Sequence, residues 1–517
     1  MPAPHPRTPA EIPVTLDRAA ESSLPVQIAA ALRDAIDREA LRPGESVAAT
    51  RQFAQRLGVA RGVVVAAYEQ LIAEGYLSAE HGRGTMVNPD LIGRRTAPGQ
   101  GERSPRGNAA AGEPHAGRAA AHPGSRGGRS DPRSDPYDER PAPRPPLKPG
   151  APVTDTVDRP AWRAAWRSAL IRADRPAPPL GDPGLRAEIA EHLRLVRGTA
   201  RPAADVLVTA GAREGLGLLL SALGTTHGRR LVVGVEDPGY PSLRGVAARH
   251  GARIVGLPVD DDGLRVDRLP NGLLDLVIVT PSHQYPVGGS LPLPRRRELL
   301  EWASRTGVVI VEDDYDSELR STGSPLPALA ALDDPVSGPV VTLGTFSSTV
   351  TPALAAGFLL APERLRGVLE PVRRDLGSPV STVVQLALAE FLRSGELRRN
   401  IARMRRRYAA RRDLLSERFA GLSGARPRPM NGGLHAVIEL TGAPDAVLRR
   451  ESEIVRQAAR PAPEFPEGLG VAALGAYWRH ERPDRTAGLV LGMGGPEDAV
   501  FSGAIERLWD VLQRNAG

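Results

Sequence analysis

Seven short apolar runs, spaced by helix-length segments, set the main limit on what this chain can fold into. They are "VLVT" (206–209), "RLVVGVE" (230–236), "ARIVGLPV" (252–259), "LDLVIVT" (274–280), "GVVIVED" (307–313), "VVTLGTF" (340–346) and "AGFLLAP" (356–362). The runs are continuous rather than alternating in polarity, which marks strands buried on both faces. Strands of that kind separated by helices predict an α/β domain built on a mostly parallel, seven-stranded sheet. Beyond about residue 363, long helical patterns such as "LRRNIARMRRRYAARRDLLSERFA" and two late strands, "GLHAVIEL" and "AGLVLGMGG", predict a smaller α/β domain. The region 147–510 thus divides into a large domain (about 170–365) and a small domain (about 366–510, with an N-terminal arm).

A different pattern occupies residues 14–88. Ile28, Leu32, Ala35 and Ile36 fall on one face of a helix. "TRQFAQRLG" is a short helix stopped by Gly58, and "ARGVVVAAYEQLIAEGYL" is a third helix burying Val64, Tyr68, Leu71 and Ile72. "SAEHGRGTMV" reads as a tight hairpin around Gly82 and Gly84. Three helices and a glycine-tipped hairpin make a winged helix-turn-helix, whose third helix would enter a major groove of double-stranded DNA with Arg61 at its start. Arg51 opens the preceding helix and Arg42 precedes the Pro-Gly turn. His81, Arg83 and Thr85 on the wing are placed for phosphate or the minor groove. Any one of these arginines could equally be a solvated surface charge.

Between the two blocks, residues 89–146 are dominated by Pro, Gly, Arg, Ala and Ser, with few large apolar side chains to offset the entropy of ordering. A disordered linker is expected. The formal net charge of +7 says little about the DNA-binding block, since residues 1–89 carry nine Arg against ten Asp and Glu. Cysteine is absent, which removes disulfides and thiolate metal ligands and fits a reducing compartment; no metal centre is expected. "MPAPHPRTPAEIP" has no apolar core of a secretory signal. No stretch approaches the roughly 20 apolar residues needed to span a bilayer, so a cytoplasmic protein without membrane contact is expected.

The segment "LRDAIDREALRPGESVAATRQFAQRLGVARGVVVAAYEQLIAEGYLSAEHGRGTMV" closely resembles the GntR-type DNA-binding domain. That resemblance implies base or phosphate contacts by Arg51, Arg61 and the wing. It also shows a departure: Ala48-Ala49-Thr50 stands where the family usually has Pro-Ser-Ser, and Ala60 where it has serine, so hydroxyl groups are lost at Ala49 and Ala60. Their loss weakens helix capping by roughly 0.5–2 kcal/mol each.

In the second block, "GDPGLRAEIAEHLRLVRG", "VLVTAGAREGLGLLL", "VEDPGYPSL", "VTPSHQYPVGGSLPLPRRRELLEWA" and "VEDDYDSELR" follow in the order found in fold-type I aminotransferases, the pyridoxal phosphate (PLP)-dependent transferase fold. Joined to a winged helix, they resemble the MocR-type regulators. The resemblance implies a role for each motif. The amides of Ala212 and Arg213 in "TAGAR" would meet a phosphate at a helix start. Tyr240 would stack on the pyridine ring, Asp313 would pair with the ring nitrogen, and Tyr315 would bond the phenolic oxygen. Tyr285 stands where simpler aminotransferases keep an asparagine, and Thr345 and Ser347 complete the set. It also implies a homodimer in which the winged helix of one chain packs on the large domain of the other.

"GTFSSTVTPALAAGFLLAP" departs from this pattern. The family places a Schiff-base lysine where this chain has Ser348, and a phosphate-clamping arginine where it has Ala355. A hydroxyl forms no imine, and the only lysine in the chain is Lys148, at the linker's edge. Losing one partner of a buried charge pair costs about 2–5 kcal/mol, a loss of affinity of roughly 30- to 3,000-fold. The arginine that holds the substrate carboxylate is replaced as well, its equivalent being Val490. The expectation is therefore a DNA-binding regulator whose aminotransferase-like domain has no catalytic residue, dimerises and senses a small molecule. The pocket would hold PLP, weakly and without a covalent bond, or another small molecule such as an amino compound, or nothing. Two rival readings stand beside it: a working PLP-dependent aminotransferase with an accessory DNA-binding module, and a scaffold that no longer reads DNA tightly.

Overall fold

The structure is a computed structural model that describes residues 14, 16–17, 24–37, 40–73, 76–80, 84–88, 144–320, 326–430, 432–480, 485–495 and 497–515. Most of the expected linker, 89–143, lies outside the described residues, as do His81 and Arg83.

The N-terminal elements are α1 (Leu24–Asp37), α2 (Thr50–Leu57), α3 (Arg61–Ala73) and the hairpin β1 (Leu77–Glu80) and β2 (Gly84–Val87). The strands pair antiparallel, with Leu77 opposite Val87 and Glu80 opposite Gly84. Ile28, Leu32, Val64, Tyr68 and Leu71 are buried in one core, as their helical spacing predicts. Gly58 closes α2 in the left-handed conformation at φ 63°, where a side chain would be strained. This small core continues into Leu293 and Leu326 of the same chain.

The second block runs α4 (Pro160–Arg172), α5 (Pro183–Arg197), β3 (Val206–Thr209), α6 (Ala212–His227), β4 (Val232–Asp237), α7 (Pro241–Arg249), β5 (Arg253–Asp260), β6 (Gly263–Leu264), β7 (Leu276–Val279), α8 (Leu293–Thr306), β8 (Val309–Asp314), α9 (Leu329–Leu332), β9 (Val340–Thr345) and β10 (Gly357–Leu360). The strands form one sheet in the order β3-β10-β9-β8-β7-β4-β5-β6. All seven expected strands are present. The sheet has eight rather than seven, because β6 adds a two-residue edge strand too short to carry any periodicity. Pairing is parallel from β9 through β5, and β10 runs antiparallel between β9 and β3. Neighbouring residues of a strand enter opposite cores: Ile310 faces one, Val309 and Val311 the other. That division is why the runs read as continuously apolar.

The remaining elements are α10 (Glu363–Leu376), α11 (Thr382–Arg393), α12 (Glu396–Arg418), β11 (Ala425–Pro427), β12 (His435–Leu440), α13 (Pro444–Ala458), β13 (Ala472–Ala473), β14 (Gly488–Gly492) and α14 (Asp498–Arg514). A second, antiparallel sheet orders its strands β11-β12-β14-β13. The stretch before α4 lies along it. Leu147 exchanges backbone hydrogen bonds with Leu469 and Gly492 at 2.9 and 2.7 Å, and the Tyr408 hydroxyl accepts from the Val153 amide at 3.0 Å. Gly492 is required there, since a Cβ would meet the Lys148 carbonyl oxygen at 2.0 Å. No described helix is long and apolar enough to cross a membrane.

Candidate functional site

The carboxyl ends of the parallel strands converge on a cavity of about 370 Å³, the usual ligand position in open α/β sheets. Ala210 to Arg213 follow β3, Tyr240 follows β4, Tyr285 follows β7, Asp313 and Tyr315 end β8, and Thr345, Ser347 and Ser348 follow β9. Leu434 and His435, from the second sheet, also line it. All eight residues expected to hold a cofactor, Ala212, Arg213, Tyr240, Tyr285, Asp313, Tyr315, Thr345 and Ser347, therefore meet in one place, and Ser348 stands among them.

The anionic end of such a ligand would meet the start of α6. Its N-cap is Gly211, at φ 91°, which has no side chain to satisfy the first amides of the helix. The backbones of α6 and β10 approach so closely that a Cβ on Gly357 would lie 2.9 Å from the Gly211 Cα. Glu214 anchors the turn by accepting from the Ala210 amide at 3.0 Å and pairing with buried Arg373 at 2.5 Å. Arg213 is exposed, lines the cavity, and pairs with no carboxylate among the described residues. Ala355 also lines the cavity. It is the only non-glycine described residue at positive φ (44°), and no guanidinium extends from it.

At the ring end, Asp313 is buried, and no hydrogen-bond partner meets its carboxyl group among the described residues. Burial pushes its pKa up to about 8, with the acids Asp314, Asp316 and Glu236 adding to the effect. Below that pH it is a neutral acid able to share a proton. Tyr240 and Tyr285 meet edge to face, ring centroids 5.2 Å apart. The Tyr285 hydroxyl lies 3.4 Å from that of Tyr477, and burial holds its pKa well above the usual phenol value. The Tyr315 hydroxyl donates to the His283 carbonyl at 3.0 Å.

Buried polar groups hold these loops in place. Gln284 donates to the Pro238 carbonyl at 2.9 Å and to Glu236 at 3.3 Å, tying the loop after β7 to that after β4. Burial raises Glu236 to about 7, although Thr280 and Gln284 donate to it. Arg296 is wholly buried and donates to three carbonyl oxygens, those of Leu291, Pro327 and Pro281. It thereby fixes both ends of the 281–291 loop to α8.

Two expectations are placed differently from the rest. Val490 is fully buried among Tyr285, Val437, Leu474 and Tyr477 and does not line the cavity. Lys148, the only lysine, is exposed and also outside the lining, although Gly150, two positions on, belongs to it.

In the winged helix, Arg42, Arg51 and Arg61 are exposed, whereas Arg56 lies over the Phe53 ring at 4.8 Å. Neither Arg51 nor Arg61 pairs with a carboxylate among the described residues, which leaves both guanidinium groups available. Thr85 is half-buried and its carbonyl accepts from the Val47 amide at 3.0 Å. The N-cap of α2 is Ala49, which makes no side-chain hydrogen bond, the consequence expected from its missing hydroxyl.

Residues 24–87 match the family described as bacterial regulatory proteins, gntR family, and residues 159–467 match aminotransferase class I and II. The chain is 38% identical to the HTH-type pyridoxine biosynthesis transcriptional regulator PdxR of Corynebacterium glutamicum, covering 97% of this chain and 99% of that one. It is 32% identical to the probable rhizopine catabolism regulatory protein MocR of Rhizobium meliloti, covering 77% of each. The chain belongs to the MocR-type regulators. For the fold, a crystal structure of a multiple substrate aminotransferase from Thermococcus profundus superposes with a TM-score of 0.60 at 22% identity, over 71% of this chain and 91% of that one.

The aminotransferase class I and II family uses PLP, and the groups of this MocR-type chain suit a non-covalent hold on it. Asp313 is a buried acid without a hydrogen-bond partner among the described residues, suited to a ring nitrogen, and the uncapped amides and Arg213 are suited to a phosphate. They do not suit a covalent hold, because no lysine lines the cavity. When bound through an imine, the cofactor supplies an electron sink for amino-group chemistry; Ser348 has no amine to form that bond or to carry the proton.

Sequence reasoning missed His435 and the groups behind it. Its Nε2 lies 2.9 Å from the Pro286 carbonyl oxygen, and its ring is stacked on that of His283, centroids 5.0 Å apart. His283 Nδ1 lies 2.8 Å from an Asp316 carboxylate oxygen. Burial, then the neighbouring His283, pushes His435 down to about 4. Polar letters inside otherwise apolar motifs, the H of "GLHAVIEL" and of "PSHQYP", were the available signal.

Proposed function

We propose that this MocR-type regulator binds an operator through α2, α3 and the wing, and that its aminotransferase-type cavity senses a small molecule without catalysing transamination. Its parts are a winged helix-turn-helix (14–88), a linker (89–146) and an aminotransferase-like domain (147–510), acting in the cytoplasm as a homodimer. The ligand is PLP or a related amino compound. Asp313 meets its ring nitrogen, Tyr240 and Tyr315 its ring and phenolic oxygen, and Arg213, Ser347 and the Ala212 amide its phosphate. Tyr285 and Thr345 shape the remaining wall. Arg51 and Arg61 contact DNA directly, a guanidinium on guanine contributing roughly 1–3 kcal/mol of discrimination, and His81, Arg83 and Thr85 contact phosphate or the minor groove.

One observation carries this reading: Ser348 shares the cavity with the ring acid Asp313 and the phosphate-ready start of α6, and no lysine lines it. The Corynebacterium relative, named as a regulator of pyridoxine biosynthesis, supports a ligand of the vitamin B6 type. Signalling requires that the ligand bind two domain arrangements unequally.

The test is footprinting of the full-length chain on the DNA upstream of its own coding region, at stated salt, with and without PLP. Protection whose strength or extent changes with PLP is expected, with no amino-acid turnover. Protection lacking at modest salt overturns the regulator reading in favour of a scaffold. Turnover restores the working aminotransferase.

A further inference from the structure

We propose that His283, Asp316 and His435 form a binding site for one divalent transition-metal ion, Zn²⁺ being the best match, at the inner wall of the cavity. One ligand atom from each lies within 4.8 Å of the others, and all three side chains are buried. Two imidazole nitrogens and a carboxylate oxygen are a donor set that favours zinc, nickel, cobalt or iron(II) over magnesium or calcium.

The state of His435 is the decisive observation. With Nε2–H donating to the Pro286 carbonyl at 2.9 Å, its Nδ1 carries a lone pair. That Nδ1 is buried and has no hydrogen-bond partner among the described residues. A buried acceptor without a donor costs about 1–3 kcal/mol, and a metal ion removes that cost. A ligating histidine whose other nitrogen donates to a backbone carbonyl is the arrangement that orients imidazoles at metal centres.

The backbone encloses the other two groups. Gly433, at φ 94°, lies so close that a Cβ there would come 2.2 Å from Asp316 Oδ2 and 2.6 Å from His283 Cε1. Asp316 Oδ2 and His283 Nδ1 are already 2.8 Å apart. At metal–ligand distances of about 2.0–2.2 Å, the trio closes by roughly 1 Å at its widest edge. The ion displaces the proton shared between His283 and Asp316, which leaves to solvent. Three protein ligands leave a fourth position. Because His435 lines the cavity, that position is open to a water or to an amine or carboxylate of a cavity ligand.

The experiment uses the full-length, tag-free chain, stripped by chelator and titrated with Zn²⁺ alone, without PLP, and in parallel with Co²⁺ followed by visible absorption. The wild type is expected to take up one Zn²⁺ per chain and to give the absorption of low-coordinate cobalt. His435→Ala and Asp316→Asn each weaken uptake by at least about tenfold and lose the cobalt bands, while His227→Ala changes neither. Asp316→Asn changes one atom without changing volume, so it answers even where His435→Ala fails to fold. No stoichiometric uptake by the wild type, or wild-type affinity in a folded Asp316→Asn chain, overturns the proposal.

Discussion

Asp313 and Ser348 line one cavity, the first a buried acid with no hydrogen-bond partner among the described residues, the second a hydroxyl, which unlike an amine forms no imine. Ser348→Lys supplies that amine. The variant is expected to form a borohydride-trapped pyridoxyl adduct at residue 348, while the wild type forms none. Peptide mapping by mass spectrometry checks it, and an adduct on Lys148 of the wild type contradicts the reading of the site.

Ala355 already occupies the left-handed region at φ 44°, so exchanging it for another L-residue leaves the backbone cost of about 1–2 kcal/mol unchanged. Ala355→Arg adds a guanidinium to the cavity wall. PLP affinity is expected to rise by at least about tenfold, measured by isothermal titration of the full chain. Affinity for pyridoxal, which has no phosphate, is expected to stay unchanged.

The pH dependence of stability follows from Asp313. Burial raises its folded pKa from 3.8 to about 8, so between these values the folded chain holds a proton that the unfolded chain has lost. Stability from this group is fully present below pH 3.8 and falls by about 1.4 kcal/mol per pH unit until pH reaches about 8. Asp313→Asn removes the proton exchange. Its stability is expected to decline less than that of the wild type between pH 5 and 8, measured by thermal melting.

Ala49 begins α2 without a side-chain hydrogen bond. Ala49→Ser is expected to cap the helix and stabilise it by about 1 kcal/mol. Hydrogen exchange of the Arg51 and Gln52 amides is the readout, with slowing of about fivefold expected. Exchange in α6 serves as the control and stays unchanged.

Much of this fold was legible because burial leaves a local mark. A strand covered on both faces reads as an unbroken apolar run, so β3, β4, β5, β7, β8, β9 and β10 could be located in advance, and the helical spacing of Ile28, Leu32 and Val64, Tyr68 located α1 and α3. The two-residue β6 left no such mark. The eight residues expected to hold a cofactor were picked out by the order of their motifs, and packing brings all of them to one cavity.

The sequence by itself determined where a lysine amine can stand, because a chain with one lysine either has it at the strand's end or does not. Tertiary structure alone decided which groups face the cavity. His435 reaches the Pro286 carbonyl across 149 positions, and Val490 turns into a core of tyrosines and aliphatic side chains rather than toward the cavity. Periodicity reports which face of an element is buried; what that face meets depends on contacts between segments far apart in the chain, for which local spacing carries no signal.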